Sequence, residues 1–313
     1  MSQIVAVNKQ KVNLRDISKK DRVWDIHKAK ADVVAKMYEI YADNPRDKAR
    51  SEKVRTCAGY LRFIRDEEFN LHLIQVRYCK NYKLCPICQW RRSLALKAKF
   101  YTNMPELLAK HKTVRFIFLT LTIKNPLLSD LRQSIKEMNL GFKNLLKRKE
   151  LVDVVGYIRN VEVTKPENEL YSHPHFHVLL AVKSTYFKSS HYLTETKWKN
   201  LWRDVMGLDY IPQVDVRIPR TEKSLNENIK ELLKYPVKEA DIDIKSKWFL
   251  KYVDQVHRLR FISTAGIFKG IIKDTPLTDE EMTKYGDDNT DKAPLDVLDF
   301  SWNRPEKRYK RTK

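Results

Sequence analysis

The run His173-Pro174-His175-Phe176-His177-Val178-Leu179-Leu180 sets imidazoles at alternate positions of an apolar stretch. Alternation with a period of two predicts a β-strand, in which side chains at i and i+2 leave the same face. His175 and His177 then point together, and Phe176 and Val178 point the other way. Two neighbouring neutral imidazoles make half of a metal site. They suit Mn, Zn, Fe or Ni, and with carboxylate and water completing the shell they suit Mg or Mn beside a phosphate. The same alternation also describes a plain polar outer face on a half-buried strand. Glu162 adds a carboxylate to the first alternative. It lies in a second strand-like run, Gly156 to Thr164, joined to the histidines by the polar segment Lys165 to Ser172 as in a long-looped hairpin. With Val161 and Val163 toward the core, Glu162 shares the opposite face with Asn160 and Thr164. A suitable register brings it to the imidazoles as a third ligand.

A second cluster is made of thiols. Cys57, Cys79, Cys85 and Cys88 are the four cysteines of the chain, and Cys85-Pro86-Ile87-Cys88 forms a CxxC knuckle. Four thiolates can close a tetrahedral structural zinc site. A CxxC pair alone also serves redox chemistry, but no thioredoxin-like βαβ pattern surrounds this one, and structural disulfides are not expected in a cytoplasm. Arg77, Lys80, Lys83, Arg91 and Arg92 surround the cluster, with Tyr78, Tyr82 and Trp90 among them. Basic and aromatic residues so interleaved suit contact with DNA, Arg91 and Arg92 first among them; they also simply solvate a small module.

Charge favours a polyanionic partner. The 313 residues carry 61 Lys+Arg against 40 Asp+Glu, a net charge of +21 spread along the whole chain, so nucleic acid is the expected partner. The longest apolar run, Phe116 to Ile123, is too short to span a bilayer, and Met1-Ser2-Gln3-Ile4 lacks the basic-then-apolar pattern of a signal peptide, so no membrane and a cytoplasmic location are expected. None of the seven glycines falls in GxGxxG or GxxxxGK[ST], which argues against an intrinsic ATP motor and assigns any duplex unwinding to another protein.

The elements that must position these groups follow from periodicity. An apolar rhythm at Val33, Val34, Met37, Ile40 and Tyr41 predicts a helix. Strands are expected at Gly59 to Ile64 and Leu71 to Tyr78, a long helix from about Gln89 to His111, a strand over Phe116 to Ile123 and an amphipathic helix over Leu128 to Glu150. After the two strands of the hairpin come a helix at Trp198 to Val205, a strand at Val214 to Ile218 and a helix at Ser224 to Tyr235. Such an order is most economically an α+β fold, a small antiparallel sheet covered by helices, with the cysteine module upstream. The expected division is a helical arm over 1–50, a zinc module and linking helix over 51–112, the main domain over 113–275 and a polar, basic tail over 276–313, whose last residues, Arg304 to Lys313, are expected to be mobile.

A phosphodiester chemistry needs a nucleophile, and Glu231-Leu232-Leu233-Lys234-Tyr235-Pro236-Val237-Lys238 offers one. On a helix Glu231 and Tyr235 are one turn apart, and Lys234 and Lys238 form a neighbouring pair able to lower the phenol's pKa and hold phosphate. A lone tyrosine is also a common packing residue. Pro236 disfavours helical geometry at Tyr235 and places it at a helix end or kink.

Three segments in order, Phe118-Leu119-Thr120-Leu121-Thr122, His173 to Leu180 and Glu231 to Tyr235, resemble the motifs of rolling-circle replication initiators of the HUH endonuclease superfamily, in the plasmid group with one catalytic tyrosine. Cys85 to Ser93 and Gly266-Ile267-Phe268-Lys269 resemble the same group, so the likeness runs from about Cys57 to Lys269. The resemblance implies a β-α-β-β core in which His175 and His177, with Glu162, bind Mg or Mn. It implies that Tyr235 cuts one strand of the plasmid double-strand origin, keeps the 5′ phosphate and frees a 3′ hydroxyl, transferring the strand through a phosphotyrosine. Glu231 matches a carboxylate that activates water at termination. Single-stranded DNA, a host helicase and a polymerase follow as partners. Thr120 and Thr122 are expected to support the fold, and His173 to be accessory. The alternatives are a transposase or relaxase of the same superfamily, whose zinc-bearing transposase members tend to carry a second tyrosine where this chain has Glu231, and a non-catalytic zinc-containing DNA-binding protein.

Overall fold

A computed structural model describes residues 12–41, 44–234, 239–272, 277–284 and 295–312. In chain order its elements are α1 (Leu14–Ile17), α2 (Arg22–Tyr41), α3 (Pro45–Thr56), β1 (Tyr60–Arg65), β2 (Leu71–Val76), α4 (Pro86–Lys110), β3 (Val114–Thr122), α5 (Leu131–Leu145), β4 (Val154–Thr164), β5 (His173–Lys183), α6 (Glu195–Met206), β6 (Val214–Arg217), α7 (Glu222–Leu232), α8 (Trp248–Val256), β7 (Ile262–Gly266), α9 (Asp279–Thr283), β8 (Asp296–Asn303) and β9 (Arg308–Arg311). The α+β class expected from the pattern is borne out, with two antiparallel sheets in place of one. The chain divides into two compact units, Met1–Arg92 with Leu277–Lys313, and Ser93–Pro276. No described helix is long and apolar enough to cross a membrane.

The second unit is built on the sheet β6-β3-β5-β4-β7, with β5 flanked by β3 and β4. Alternation gives its strands two buried faces. On one, Phe116, Phe118, Ile158, Leu179 and Ala181 pack with Leu96, Phe100, Met104 and Leu107 of α4, with Ile229 and Leu232 of α7, and with Phe268. On the other, Phe176 meets Phe142 of α5 edge-on at 6.3 Å, and the Trp202 indole N–H of α6 donates to Thr122 O at 2.8 Å. The helix expected over Leu128 to Glu150 is α5 with a 3-10 turn at either end, Leu128–Asp130 and Lys149–Leu151. The Gly266 motif closes the sheet edge. Gly266 has φ +60°, and a Cβ on it would stand 2.0 Å from Val155 O and 2.6 Å from Gly156 Cα, so only glycine lets β7 approach β4 this closely.

The first unit holds the sheet β2-β1-β8-β9. Its two C-terminal strands lie in the segment expected as a polar, basic tail, and β9 corrects the expectation that residues 304–313 are mobile. The run Val297-Leu298-Asp299-Phe300-Ser301-Trp302 alternates, and β8 pairs with β1 so that Leu61 faces Phe300 and Arg62 faces Asp299. Leu298, Phe300 and Tyr309 are fully buried. Phe300 meets Phe63 edge-on at 5.9 Å, Arg62 grips Asp299 through two bonds of 2.8 and 3.2 Å, and the Tyr309 hydroxyl donates to Ala58 O at 2.6 Å.

Truncating a fully buried aromatic costs about 3–5 kcal/mol, whereas a substitution in a mobile tail costs less than about 0.5 kcal/mol. Phe300→Ala is therefore expected to lower the unfolding free energy of the full chain in urea by an amount in the first range; a urea midpoint equal to that of the parent chain contradicts the strand assignment.

Candidate metal centre

Register decides which side chains meet. In the pairing of β4 with β5, Glu162 lies opposite His175 and Asn160 opposite His177; in that of β3 with β5, Thr122 lies opposite His175 and Thr120 opposite His177. Two adjacent rows thus carry Glu162-His175-Thr122 and Asn160-His177-Thr120. These rows continue the apolar face of Leu179 and Ala181, so the polar groups lie in the interior: Glu162 is 1%, His177 2% and His175 8% exposed. His175 Nε2 and His177 Nε2 each lie 2.7 Å from Glu162 Oε2. The expected triad is brought together.

Such a group survives burial because it is paired. Burial alone would raise the Glu162 pKa, but the hydrogen bonds from His175 and His177, with Lys234 beside them, outweigh it and hold the carboxyl well below its ordinary range. Burial pushes the His177 imidazole down, which favours the neutral form that ligates metal. Two donor atoms are left over: Glu162 Oε1 and His175 Nδ1 are buried without a hydrogen-bond partner among the described residues. One carboxylate and two imidazoles, with ligand atoms within 4.8 Å of one another, fit a divalent ion taking nitrogen and oxygen.

Around the triad, His177 Nδ1 lies 3.3 Å from Thr120 Oγ1 and 3.5 Å from Glu231 Oε1, and its ring stacks on Phe118 at 5.8 Å. Thr120 therefore touches a triad imidazole, while Thr122 donates to Gln213 O at 2.9 Å and serves the fold. Arg217, which the sequence did not single out, donates to Glu231 Oε2 at 2.7 Å and lies the same distance from Asp215 Oδ2. Its position on the short edge strand β6, opposite Phe118, is what delivers it. His173 turns to Asn125, with Nδ1 2.6 Å from Oδ1.

Helix α7 brings Glu231 to this place. Thr221 and Ser224 form its capping box. Its far end is held by side chains that take its last carbonyls: Asn160 Nδ2 donates to Leu232 O at 2.8 Å and Ser93 Oγ donates to Leu233 O. The helix ends at Leu232, three residues before Tyr235. Lys234 follows the helix and sets its Nζ 2.9 Å from Glu162 Oε2. Tyr235, Pro236 and Lys238 lie outside the described residues. Of two other tyrosines that could stand in for Tyr235, Tyr252 is fully buried and stacked on Trp248, and the Tyr210 hydroxyl accepts from Lys124 N at 2.7 Å.

The thiols converge in the first unit. Cys57, Cys79, Cys85 and Cys88 offer sulfurs within 4.8 Å of one another; Cys88 Sγ lies 3.6 Å from Cys57 Sγ and 3.5 Å from Cys79 Sγ. A tetrahedron with metal–sulfur bonds near 2.3 Å has edges of about 3.8 Å, close to these separations. Burial pushes the Cys85 and Cys88 thiols up, whereas hydrogen bonds from the other three lower Cys79. Pro86 opens α4 directly after Cys85, and the residues following the two upstream cysteines, Ala58 and Lys80, turn the chain with φ of 50° and 59°. Neither residue type advertises that conformation. Arg91 and Arg92, expected at DNA, are buried instead. Arg91 donates to Met282 O and Thr283 O at 2.7 and 2.9 Å and stacks over Trp24 and Trp90, and Arg92 lies 4.2 Å over the Tyr82 ring. They sit on the inner side of the first turns of α4, where aromatic faces and free carbonyls take the charge.

An antiparallel sheet that carries one buried carboxylate between two imidazoles, in a chain with a separate four-thiol cluster, defines a protein with two candidate metal centres. A family model described as replication protein, Rep_1, matches residues 70–310, and the chain belongs to that family. It is 33% identical over 298 residues to Protein rep of Streptococcus pneumoniae serotype 2, covering 93% of this chain and 92% of the relative. It is 34% identical over 299 residues to Protein rep of Lentilactobacillus hilgardii, covering 91% and 93%, and 34% identical over 292 residues to Protein rep of Bacillus amyloliquefaciens, covering 84% of each. No solved structure matches. The resemblance to replication initiators is borne out at the level of the family.

Because the folded Glu162 holds its proton less tightly than an unfolded carboxyl, its contribution to stability is complete above the unfolded pKa of about 4.3 and fades as pH falls through the lower folded value. In the presence of a chelator, Glu162→Gln is expected to cost about 1–3 kcal/mol at neutral pH. The gap to the parent chain should narrow below about pH 4. A gap in urea unfolding that is independent of pH contradicts the buried ionised carboxylate.

Proposed function

We propose that this protein initiates rolling-circle replication of a plasmid as a metal-dependent, origin-specific nicking endonuclease and strand transferase of the HUH type. The observation that carries the proposal is Glu162 Oε2 held between His175 Nε2 and His177 Nε2 on the inner face of the sheet. Mg or Mn held by these three residues would neutralise charge on the scissile phosphate. Tyr235 is the nucleophile: its phenolic oxygen gives up its proton to solvent, attacks phosphorus and forms the 5′ phosphotyrosine as the bond to the 3′ oxygen breaks, and the departing 3′ oxygen takes a proton from solvent. The freed 3′ hydroxyl is then a primer for a host polymerase. Lys234 and Lys238 flank the nucleophile with positive charge for the DNA phosphates.

Termination falls to Glu231. Its carboxylate accepts a proton from the water that attacks the second scissile phosphate, so that this cleavage is hydrolytic. Arg217 orients that carboxylate through one oxygen and leaves Oε1 toward His177. The unit Ser93–Pro276 carries the chemistry, and in the other unit the four cysteines hold a structural zinc. The partners are the double-strand origin, the single strand displaced from it, and a host helicase, because the chain has no phosphate-cradling loop of its own. Glu231 in place of a second tyrosine argues for initiation over transposition.

Supercoiled origin plasmid incubated with Mn and protein tests this reading. The parent chain is expected to give relaxed DNA with covalently attached protein, and Tyr235→Phe to bind the origin equally while forming no adduct. Adduct formed by Tyr235→Phe refutes the assignment of the nucleophile, and retarded but intact DNA from the parent chain points to the non-catalytic binder. Metal analysis of the purified chain is expected to give one tightly held zinc, lost in Cys88→Ser together with a cooperative thermal transition; a zinc content unchanged in that variant contradicts the four-thiolate site.

A further inference from the structure

One oxygen atom of the candidate metal centre serves three nitrogens. Glu162 Oε2 has His175 Nε2 and His177 Nε2 at 2.7 Å and Lys234 Nζ at 2.9 Å. The two imidazoles are the ligand atoms that a divalent ion would share with this carboxylate. The ammonium is a third partner of the same oxygen, and a metal bound through Oε2 would compete with it. An ammonium and a divalent ion held within about 3 Å of one oxygen repel each other strongly in a site with little water. Both cannot keep that oxygen.

Lys234 is built to be the one that leaves. Glu162 is 1% exposed and fixed by its strand, whereas the Lys234 side chain is 36% exposed and enters from beyond the end of α7 on a flexible four-carbon stem. While it is in place it gives the buried carboxylate a full positive charge to face. We infer that Lys234 is an exchangeable internal counter-ion of the Glu162, His175 and His177 centre. It stabilises the metal-free protein and is displaced when a divalent ion enters, which frees an ammonium adjacent in the chain to Tyr235 for a DNA phosphate. This rests on the metal-centre reading above and adds to it a sign: removing a charged residue from the site strengthens metal binding.

Titration of the full chain with Mn alone, without DNA, tests the exchange, with unbound Mn followed by its paramagnetic resonance signal. Lys234→Met is expected to bind Mn tighter than the parent chain by on the order of tenfold, a coupling in the usual range between sites. Lys234→Gln, a second neutral variant, should do the same, and Lys234→Arg should bind like the parent because it keeps the competing charge. Neutral variants that bind Mn as the parent does, or more weakly, overturn the exchange. His175→Ala separates the two ideas: loss of Mn in that variant with no gain in Lys234→Met removes the exchange alone, whereas Mn binding unaffected by His175→Ala removes the metal centre, and the exchange with it.

Discussion

An ionised carboxylate sits in the interior of a β-sheet with two imidazoles on either side of one of its oxygens, and much of the second unit is arranged around the cost of that placement. Glu162 loses almost all its water, so it must be met by donors that are already in position. Strands supply such positions well, because a register fixed by ladder hydrogen bonds leaves each side chain little freedom. β5, with a partner on each side, carries the imidazoles; β4 brings Glu162 opposite one of them, and β3 brings Thr120 to the back of the other. The apolar face of Leu179, Ala181, Phe118 and Ile158 is the floor on which this row stands.

The groups to which the proposed reaction gives a task, by contrast, come from the edges of that frame. Glu231 stands in the last turn of α7, Lys234 just beyond it, and Arg217 on the edge strand β6. Side chains from the rigid part hold the helix end by its carbonyls: Asn160, the neighbour of His177 in the sheet, binds Leu232 O. The row that carries His177 thus also seats the helix that precedes Tyr235. A precise inner shell with a more adjustable outer one would suit the proposed reaction, which binds phosphate, cuts it and later admits water. In the first unit the four-thiol cluster is assembled by comparable means, two sulfurs from the start of a helix and two from sharp turns of the chain.

Much of this was legible because periodicity survives in sequence. His175 and His177 were readable as one face, Glu162 as their partner by its flanking valines, and the helix and strand order of the second unit by its apolar spacing. The end of α7 short of Tyr235 agrees with Pro236. What was not legible depended on partners distant in sequence. Residues 276–313 read as a polar, basic tail because the apolar residues that reach the core there, Leu298, Phe300 and Tyr309 among them, are scattered among charged and polar ones. Arg91 and Arg92 read as DNA contacts because nothing local reveals that Trp24, Tyr82 and two carbonyls near residue 282 await them. Lys234 and Arg217 each find their carboxylate across the fold, and no spacing rule encodes that meeting. The short helix α8 and strand β7 escaped notice for lack of length, although Gly266 marked the place where β7 meets β4.

Anomalous diffraction from crystals of the full chain soaked in Mn tests the central claim most directly. The expected result is a single strong peak in the second unit, within about 2.3 Å of His175 Nε2, His177 Nε2 and a Glu162 oxygen, the bond length usual for hard divalent ions. A peak elsewhere in that unit, or none at a Mn concentration that supports nicking, contradicts it.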